Sequence, residues 1–179
     1  MIDEVREPVL SQEYLVRFGR QSETVRCFGT EDENPQRGEN VIVQTDRGER
    51  LATIMQKLPQ PIFEETEANP QAILVRTASA EDMQREQELR QKADQEFGIW
   101  QERIDKWQVA VELVDLEWTH DGERLLLYVL NDRGPECTKL ALMTAAKGLG
   151  IVEVVPLSSN GIAAEKKSGG GCGSGGCGH

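Results

Sequence analysis

The amino-acid sequence predicts an α+β fold, with a β-rich N-terminal part followed by a part in which strands and helices alternate. Three observations carry that expectation. Short alternating apolar runs broken by glycine-containing turns fill residues 13–57. One long stretch with apolar residues at three- and four-residue steps begins after Ser79. From residue 72 onward the periodicities follow the order strand, helix, strand, strand, helix, strand.

Residues 1–12 are polar and aperiodic, and are expected to be a loose terminus. Tyr14, Val16 and Phe18 then alternate, a turn follows at Gly19-Arg20-Gln21-Ser22, and Thr24-Val25-Arg26-Cys27-Phe28 resumes the strand pattern. Val41-Ile42-Val43-Gln44-Thr45 and Leu51-Ala52-Thr53-Ile54-Met55 flank Asp46-Arg47-Gly48, a tight turn in which one position needs a positive φ. Four short strands at this spacing predict a small curled barrel of the SH3-like kind over residues 13–62. Pro59-Gln60-Pro61 and the acidic Glu64-Glu65-Thr66-Glu67 mark the boundary of that unit.

The second unit is expected over residues 70–157. Ala72-Ile73-Leu74-Val75-Arg76 has strand character, and Ser79 with Asp82 forms a capping-box pattern at the start of a long helix. Met83, Leu89, Ala93, Phe97, Trp100, Ile104 and Trp107 make its apolar stripe. Gly98 lies inside this helix, where it either permits close packing or marks a bend. A strand pair follows, joined by a turn at His120-Asp121-Gly122. Pro135 suits the first position of a second helix, Gly148 and Gly150 can stop it, and Ile151-Val152-Glu153-Val154-Val155 is a last strand. This order is that of a ferredoxin-like split βαβ unit, with both helices on one face of a four-stranded antiparallel sheet. Residues 158–179 form a polar connector and a glycine-rich, low-complexity tail expected to be disordered.

The chain has 179 residues and a formal net charge of −11. An acidic surface repels phosphate backbones, because nucleic-acid affinity comes largely from lysine and arginine displacing counterions. Met1-Ile2-Asp3-Glu4 lacks the cationic start of a secretory leader, and no apolar run approaches the ~20 residues that span a bilayer. Cys27 and Cys137 stand alone within regular elements and Cys172 and Cys177 lie in the tail, which is not a secreted disulfide framework. A cytoplasmic location is the expectation.

Two sets of segments resemble a known family. The first is Tyr14-Leu15-Val16-Arg17-Phe18-Gly19 together with residues 37–48, which include the Arg47-Gly48 turn. The second is Leu113-Val114-Asp115-Leu116-Glu117-Trp118-Thr119 with Asp121 and the strand over residues 125–130. Over residues 13–156 the chain is similar to the bacterial YaaT-like proteins, defined by the PSP-type conserved C-terminal region first named from a yeast polymerase suppressor. The resemblance implies a regulatory adaptor without enzymatic activity, in complexes with other small proteins linked to developmental regulation or messenger-RNA processing. Some relatives ligate an iron–sulfur cluster through cysteines beyond this region. Here a glycine tail stands in place of the longer cysteine-rich extension, so cluster ligands do not carry over.

Candidate site residues are few. Cys172, Cys177 and His179 offer thiolate and imidazole donors at a C-x4-C spacing, suited to zinc or an iron–sulfur cluster but one ligand short of a closed tetrahedral site. Two readings stay open for them: a metal-handling tail, or flexible chain that binds metal adventitiously. Arg47 and Arg133, each in an Asp-Arg-Gly turn, are candidate exposed contacts for a protein partner, against the plainer reading of solvated turn arginines. Cys27 and Cys137 are expected to act as small buried hydrophobes, and His120 as a turn residue. Trp118 and Tyr128 on the hairpin could stack RNA bases if exposed, but the basic residues that accompany such a platform are missing. No nucleophile with a matching base, and no phosphate-cradling glycine loop before a helix, can be assembled from the sequence. An adaptor and a metal-handling protein are therefore the two leading functional classes, with an RNA-binding module third.

Overall fold

The alternating runs of the N-terminal part become β1 (Gln12–Phe18), β2 (Glu23–Gly29), β3 (Asn40–Thr45) and β4 (Gly48–Lys57). They are seen in a computed structural model that describes residues 12–30, 34–59, 71–131, 134–158 and 161–162. A fifth strand, β5 (Ala72–Thr77), completes a closed barrel in the order β1-β2-β5-β3-β4, with β4 returning to β1. Alternation sorts the side chains. Tyr14, Val16, Val25, Cys27, Val41, Val43, Ala52, Ile54, Ala72 and Leu74 fill the interior. β5 lies antiparallel to β3 and parallel to β2, where Cys27 faces Ala72 and Phe28 faces Ile73.

From the barrel the chain runs directly into helix α1 (Ala80–Lys106). The Ser79 side chain accepts the Asp82 backbone N–H and the Asp82 side chain accepts the Ser79 N–H, so the capping box forms as the sequence predicts. Strands β6 (Glu112–Trp118) and β7 (Arg124–Leu130), helix α2 (Pro135–Ala146), strand β8 (Ile151–Ser158) and the two-residue β9 (Gly161–Ile162) follow. They build a second sheet in the order β6-β7-β8-β9. Pro135 sits in the first turn of α2, whose last residue is followed by Lys147 as cap and by Gly148 at φ +61°. Ala93, Trp100 and Ile104 of α1 and Leu140 of α2 share one core with Leu113, Leu116, Leu125, Leu127 and Val129, so both helices cover the same sheet face. Leu126, Tyr128, Val155 and Leu157 are buried on the other face. This explains why residues 125–129 of β7 are all buried: the strand has a core on each side.

The ferredoxin-like arrangement predicted for residues 70–157 is corrected by the pairing. β5, expected as the first strand of that sheet, belongs to the barrel, and β7 instead pairs directly and in parallel with β8. The α+β class and the N-terminal barrel stand. The barrel, however, draws its closing strand from beyond the boundary that the prolines and glutamates suggested. No helix among the described residues is long and apolar enough to cross a membrane.

α1 passes through Gly98 as helix, and a Cβ built there would meet nothing within 4 Å. Close packing is therefore not the reason for the glycine. Gly98→Ala is expected to raise stability by about 1 kcal/mol, lifting the thermal unfolding midpoint by roughly 2–4 °C in a chain of this size. An unchanged or lowered midpoint would show that the glycine serves something other than the free chain's fold.

Candidate functional site

A joint between barrel and sheet gathers most of the buried charge. Its geometry begins with a bulge in β6: Leu113 faces Val129, yet Asp115 already faces Tyr128, so Val114 is an extra residue. The slip changes the parity of the strand. Leu113 and Leu116 both join the helix-side core, while Asp115 and Glu117 are left pointing toward the barrel.

Glu117, 5% exposed, accepts three donors there. Arg50 of β4 donates from Nη2 to Oε1, the Arg20 backbone N–H donates to Oε2 at 3.0 Å, and the Tyr128 hydroxyl donates to Oε2 at 3.1 Å. Burial, followed by the Glu117 charge, pushes the Tyr128 phenol well above its usual range. Burial works against the Arg50 charge, but Glu117 and Tyr128 together more than offset it, so Arg50 stays firmly protonated. The Arg20 guanidinium reaches on to Asp115 Oδ1 at 2.9 Å and Asp94 Oδ1 at 2.6 Å, tying the β1–β2 turn to both β6 and α1. Gly19 makes this approach possible. Its φ is +74°, and a Cβ would come within 2.7 Å of Arg50 Nη2.

The start of β4 makes a second contact with the same hairpin. The Glu49 N–H donates to Asp121 Oδ2 at 3.1 Å, and its carbonyl accepts the His120 N–H at 2.7 Å. A Cβ on Gly48, which has φ +114°, would come within 2.9 Å of the same Asp121 oxygen. From α1, Arg85 donates to the His120 and Asp121 carbonyls, both at 2.6 Å. Beside it, Asp82 accepts Arg76 in a two-pronged pair at 2.6 and 2.9 Å, and lies 3.1 Å from His120 Nε2. Hydrogen bonds from Arg76, then from the Ser79 backbone and His120, hold the Asp82 carboxyl well below the usual carboxylate range despite burial.

The sequence-predicted residues are distributed as follows. Arg47 is half-buried: its Nε donates to Glu153 Oε1 at 2.9 Å and its Nη1 lies 3.5 Å from Glu23. Arg124 shares Glu153 through Oε2 at 3.1 Å. Arg133, Cys172, Cys177 and His179 lie outside the described residues. His120 does occupy the hairpin turn, but it is 3% exposed and works as a structural contact. Cys27 is buried in the barrel and Cys137 packs against the helix-side core. Trp118 is covered by Lys92, whose Nζ sits 3.6 Å from the ring centre, and Tyr128 is buried, so neither offers an open stacking face. Among the described residues, no three metal-ligating side chains converge.

Arg50 and Glu117 were not singled out from the sequence, although a signal existed. Arg50 shares strand parity with the interior residues Ala52 and Ile54, and a lone charge on the buried side of a strand calls for a partner.

Two grooves open on the surface. One, of about 690 Å³, follows β8 between α2 and the side chains of Arg47 and Arg124. The other, of about 670 Å³, lies between the barrel and the first turns of α1, with Arg17, Arg20 and Arg90 among its lining.

Residues 72–133 match the PSP1 C-terminal conserved region. That segment runs from the barrel-closing β5 through α1 and the β6–β7 hairpin, so it contains every sheet-side and helix-side partner in the joint except Glu153. No curated protein and no solved structure matches the chain.

Removing one partner of a buried ion pair leaves an uncompensated charge. Glu117→Ala is therefore expected to cost about 3–5 kcal/mol in denaturant unfolding. The double change Arg50→Met with Glu117→Leu should cost clearly less than the two single changes added together; simple additivity would mean that the two side chains do not couple. Asp82 sets a pH dependence. The unfolded chain protonates this carboxyl near pH ~4 while the folded chain keeps it ionised, so stability present above that range is lost as pH falls. An Asp82→Asn chain should accordingly show a shallower loss of stability between about pH 5 and 2 than the unaltered chain; equal slopes would contradict the assignment.

Proposed function

We propose that this chain, which carries a PSP1 C-terminal conserved region over residues 72–133, is a YaaT-like regulatory adaptor without enzymatic activity. It would act through protein–protein contacts in a cytoplasmic complex linked to developmental regulation or RNA processing. The observation that carries the reading is the use made of the family region's polar side chains. Asp82, Asp115, Glu117 and Asp121 are each held by hydrogen bonds that join α1, the hairpin and the barrel. A general base needs a carboxylate or imidazole within reach of a substrate's proton. Groups locked between two structural units are poorly placed for that work, whereas a two-part body joined by such bonds, with surface grooves, suits partner binding. The net charge of −11 also disfavours a nucleic-acid ligand over a protein one.

The alternative reading, a metal-handling protein acting through Cys172, Cys177 and His179, separates cleanly from the first. Full-length protein and a version ending at Lys167, both prepared anaerobically, are used as bait in extracts of the source cell, and their metal and sulfide contents are measured. An adaptor keeps the same stoichiometric partner in both forms. Loss of the partner on truncation, together with stoichiometric metal in the full-length form alone, would give the function to the tail.

A further inference from the structure

We propose that the outer edge of β8, residues 151–156, is a docking site that takes an extended segment of a partner protein as an added antiparallel strand. The proposal deepens the adaptor reading and rests on it only in taking the ligand to be a protein.

The groove along β8 is lined by six successive residues of that strand, 151–156. Neighbouring strand residues point to opposite faces, so a groove meets six in a row only by running along the strand's edge. The inner edge is fully occupied, since β8 pairs with β7 from Ile151 to Leu157. The outer edge is paired, among the described residues, only where Leu157 faces Ile162 and Ser158 faces Gly161.

The direction of the main-chain groups follows from one contact. The Leu157 carbonyl accepts the Asn131 N–H at 3.3 Å, and Asn131 directly follows β7, so Leu157 turns its polar groups inward. Alternation then turns those of Val152, Val154 and Pro156 outward. Pro156 has no N–H to offer, and at an outward position that omission leaves the β7 ladder intact. The edge thus presents two N–H donors, from Val152 and Val154, and the carbonyls of all three residues. This is the pattern used when a peptide adds a strand to a sheet.

The walls define the occupant. On one side stand the N-cap Gly134 and Cys137, Thr138 and Ala141, one face of α2 made of small side chains. They leave room for side chains the size of valine or threonine on alternate positions of an incoming strand. On the other side are Arg47 and Arg124, and Arg124 lies in register with Ile151 at the start of β8. β9 is already antiparallel to β8 and fixes the direction. The C-terminal end of an added strand would therefore lie beside the two arginines, where a carboxylate would join Glu153 and Glu23 as a further acceptor. The chain's own continuation fits poorly, because Ala163-Ala164-Glu165-Lys166-Lys167 and the glycine run are residue types that strands disfavour. A second copy would bring another charge of −11 to the contact.

The probe is a short synthetic peptide of alternating threonine and valine that ends in aspartate. It is titrated into the full-length chain while backbone amide exchange is followed by NMR. Saturation should slow exchange of the Val152 and Val154 N–H groups by about tenfold or more. Val154→Pro, which deletes one outward donor but also trims a side chain packed against the helix-side core, should weaken binding about tenfold or more at temperatures where the variant stays folded. The exchange result on the unaltered chain stands even if that variant folds badly. Unchanged exchange at both amides overturns the proposal. So does protection already present without peptide that vanishes when the chain ends at Ile162, which would assign the edge to the chain's own tail. Protection that grows with protein concentration alone assigns it to a second copy and overturns it as well. Any of these failures leaves partner capture by the whole chain to be judged separately, since a partner could dock on another surface.

Discussion

The Glu117 carboxylate is the point on which the two units turn. It sits in a nearly dry joint and meets three donors from three elements: the Arg50 guanidinium in β4, the Arg20 backbone N–H in the β1–β2 turn, and the Tyr128 hydroxyl in β7. Taking such a charge out of water is costly, and a buried pair adds little net stability over well-packed apolar residues. Its effect is geometric. Any other seating of the barrel on the sheet would leave Arg50 or Glu117 buried and unpaired, which is far more costly than the pairing itself. The bulge at Val114 makes this possible, because in a regular strand the alternation that places Leu113 on the helix side would also send Asp115 and Glu117 there.

A second constraint comes from the way α1 leaves the barrel. β5 ends at Thr77 and the helix begins at Ala80, with Ser79 as cap between them. Asp82 serves the cap, the Arg76 pair on β5 and the His120 contact on the hairpin at once. The last barrel strand, the long helix and the hairpin are therefore tied at one short junction. The PSP1 region, which spans these three elements, is a mechanical unit that includes a wall of the barrel; it does not coincide with either half of the fold.

Where the joint consumes polar groups, the far side of the second sheet leaves them available. Among the described residues, β8 is held on one edge only, apart from the two residues opposite β9. An unpaired edge is a liability in any sheet, and proline is one of the devices that restrain it. Pro156 lies near the end where β9 takes over, and the flanking helix and arginines turn the edge from a flat template into a recessed slot. A slot of that kind admits a single strand while discouraging the open stacking that leads to aggregation.

Much of this was determined by local sequence. Alternation in residues 14–18 and 41–55, the Ser79–Asp82 cap and Pro135 at the start of α2 each act within a few residues, so they set strand, helix and turn without reference to the rest of the chain. What local sequence could not settle was partnership. β5 has Ala72 and Leu74 inward and Ile73 and Val75 outward, a pattern that serves equally in a barrel or in the centre of a ferredoxin-like sheet. The order of elements suggested the latter. The barrel took the strand because its wall between β2 and β3 had to be closed, a requirement that appears only once the other four strands have curled together. The ion pair across the joint and the open edge of β8 were hidden for the same reason. Sequence fixes which face of an element is apolar, whereas the pairing of edges and of buried charges depends on residues far apart in the chain that only the tertiary structure brings together.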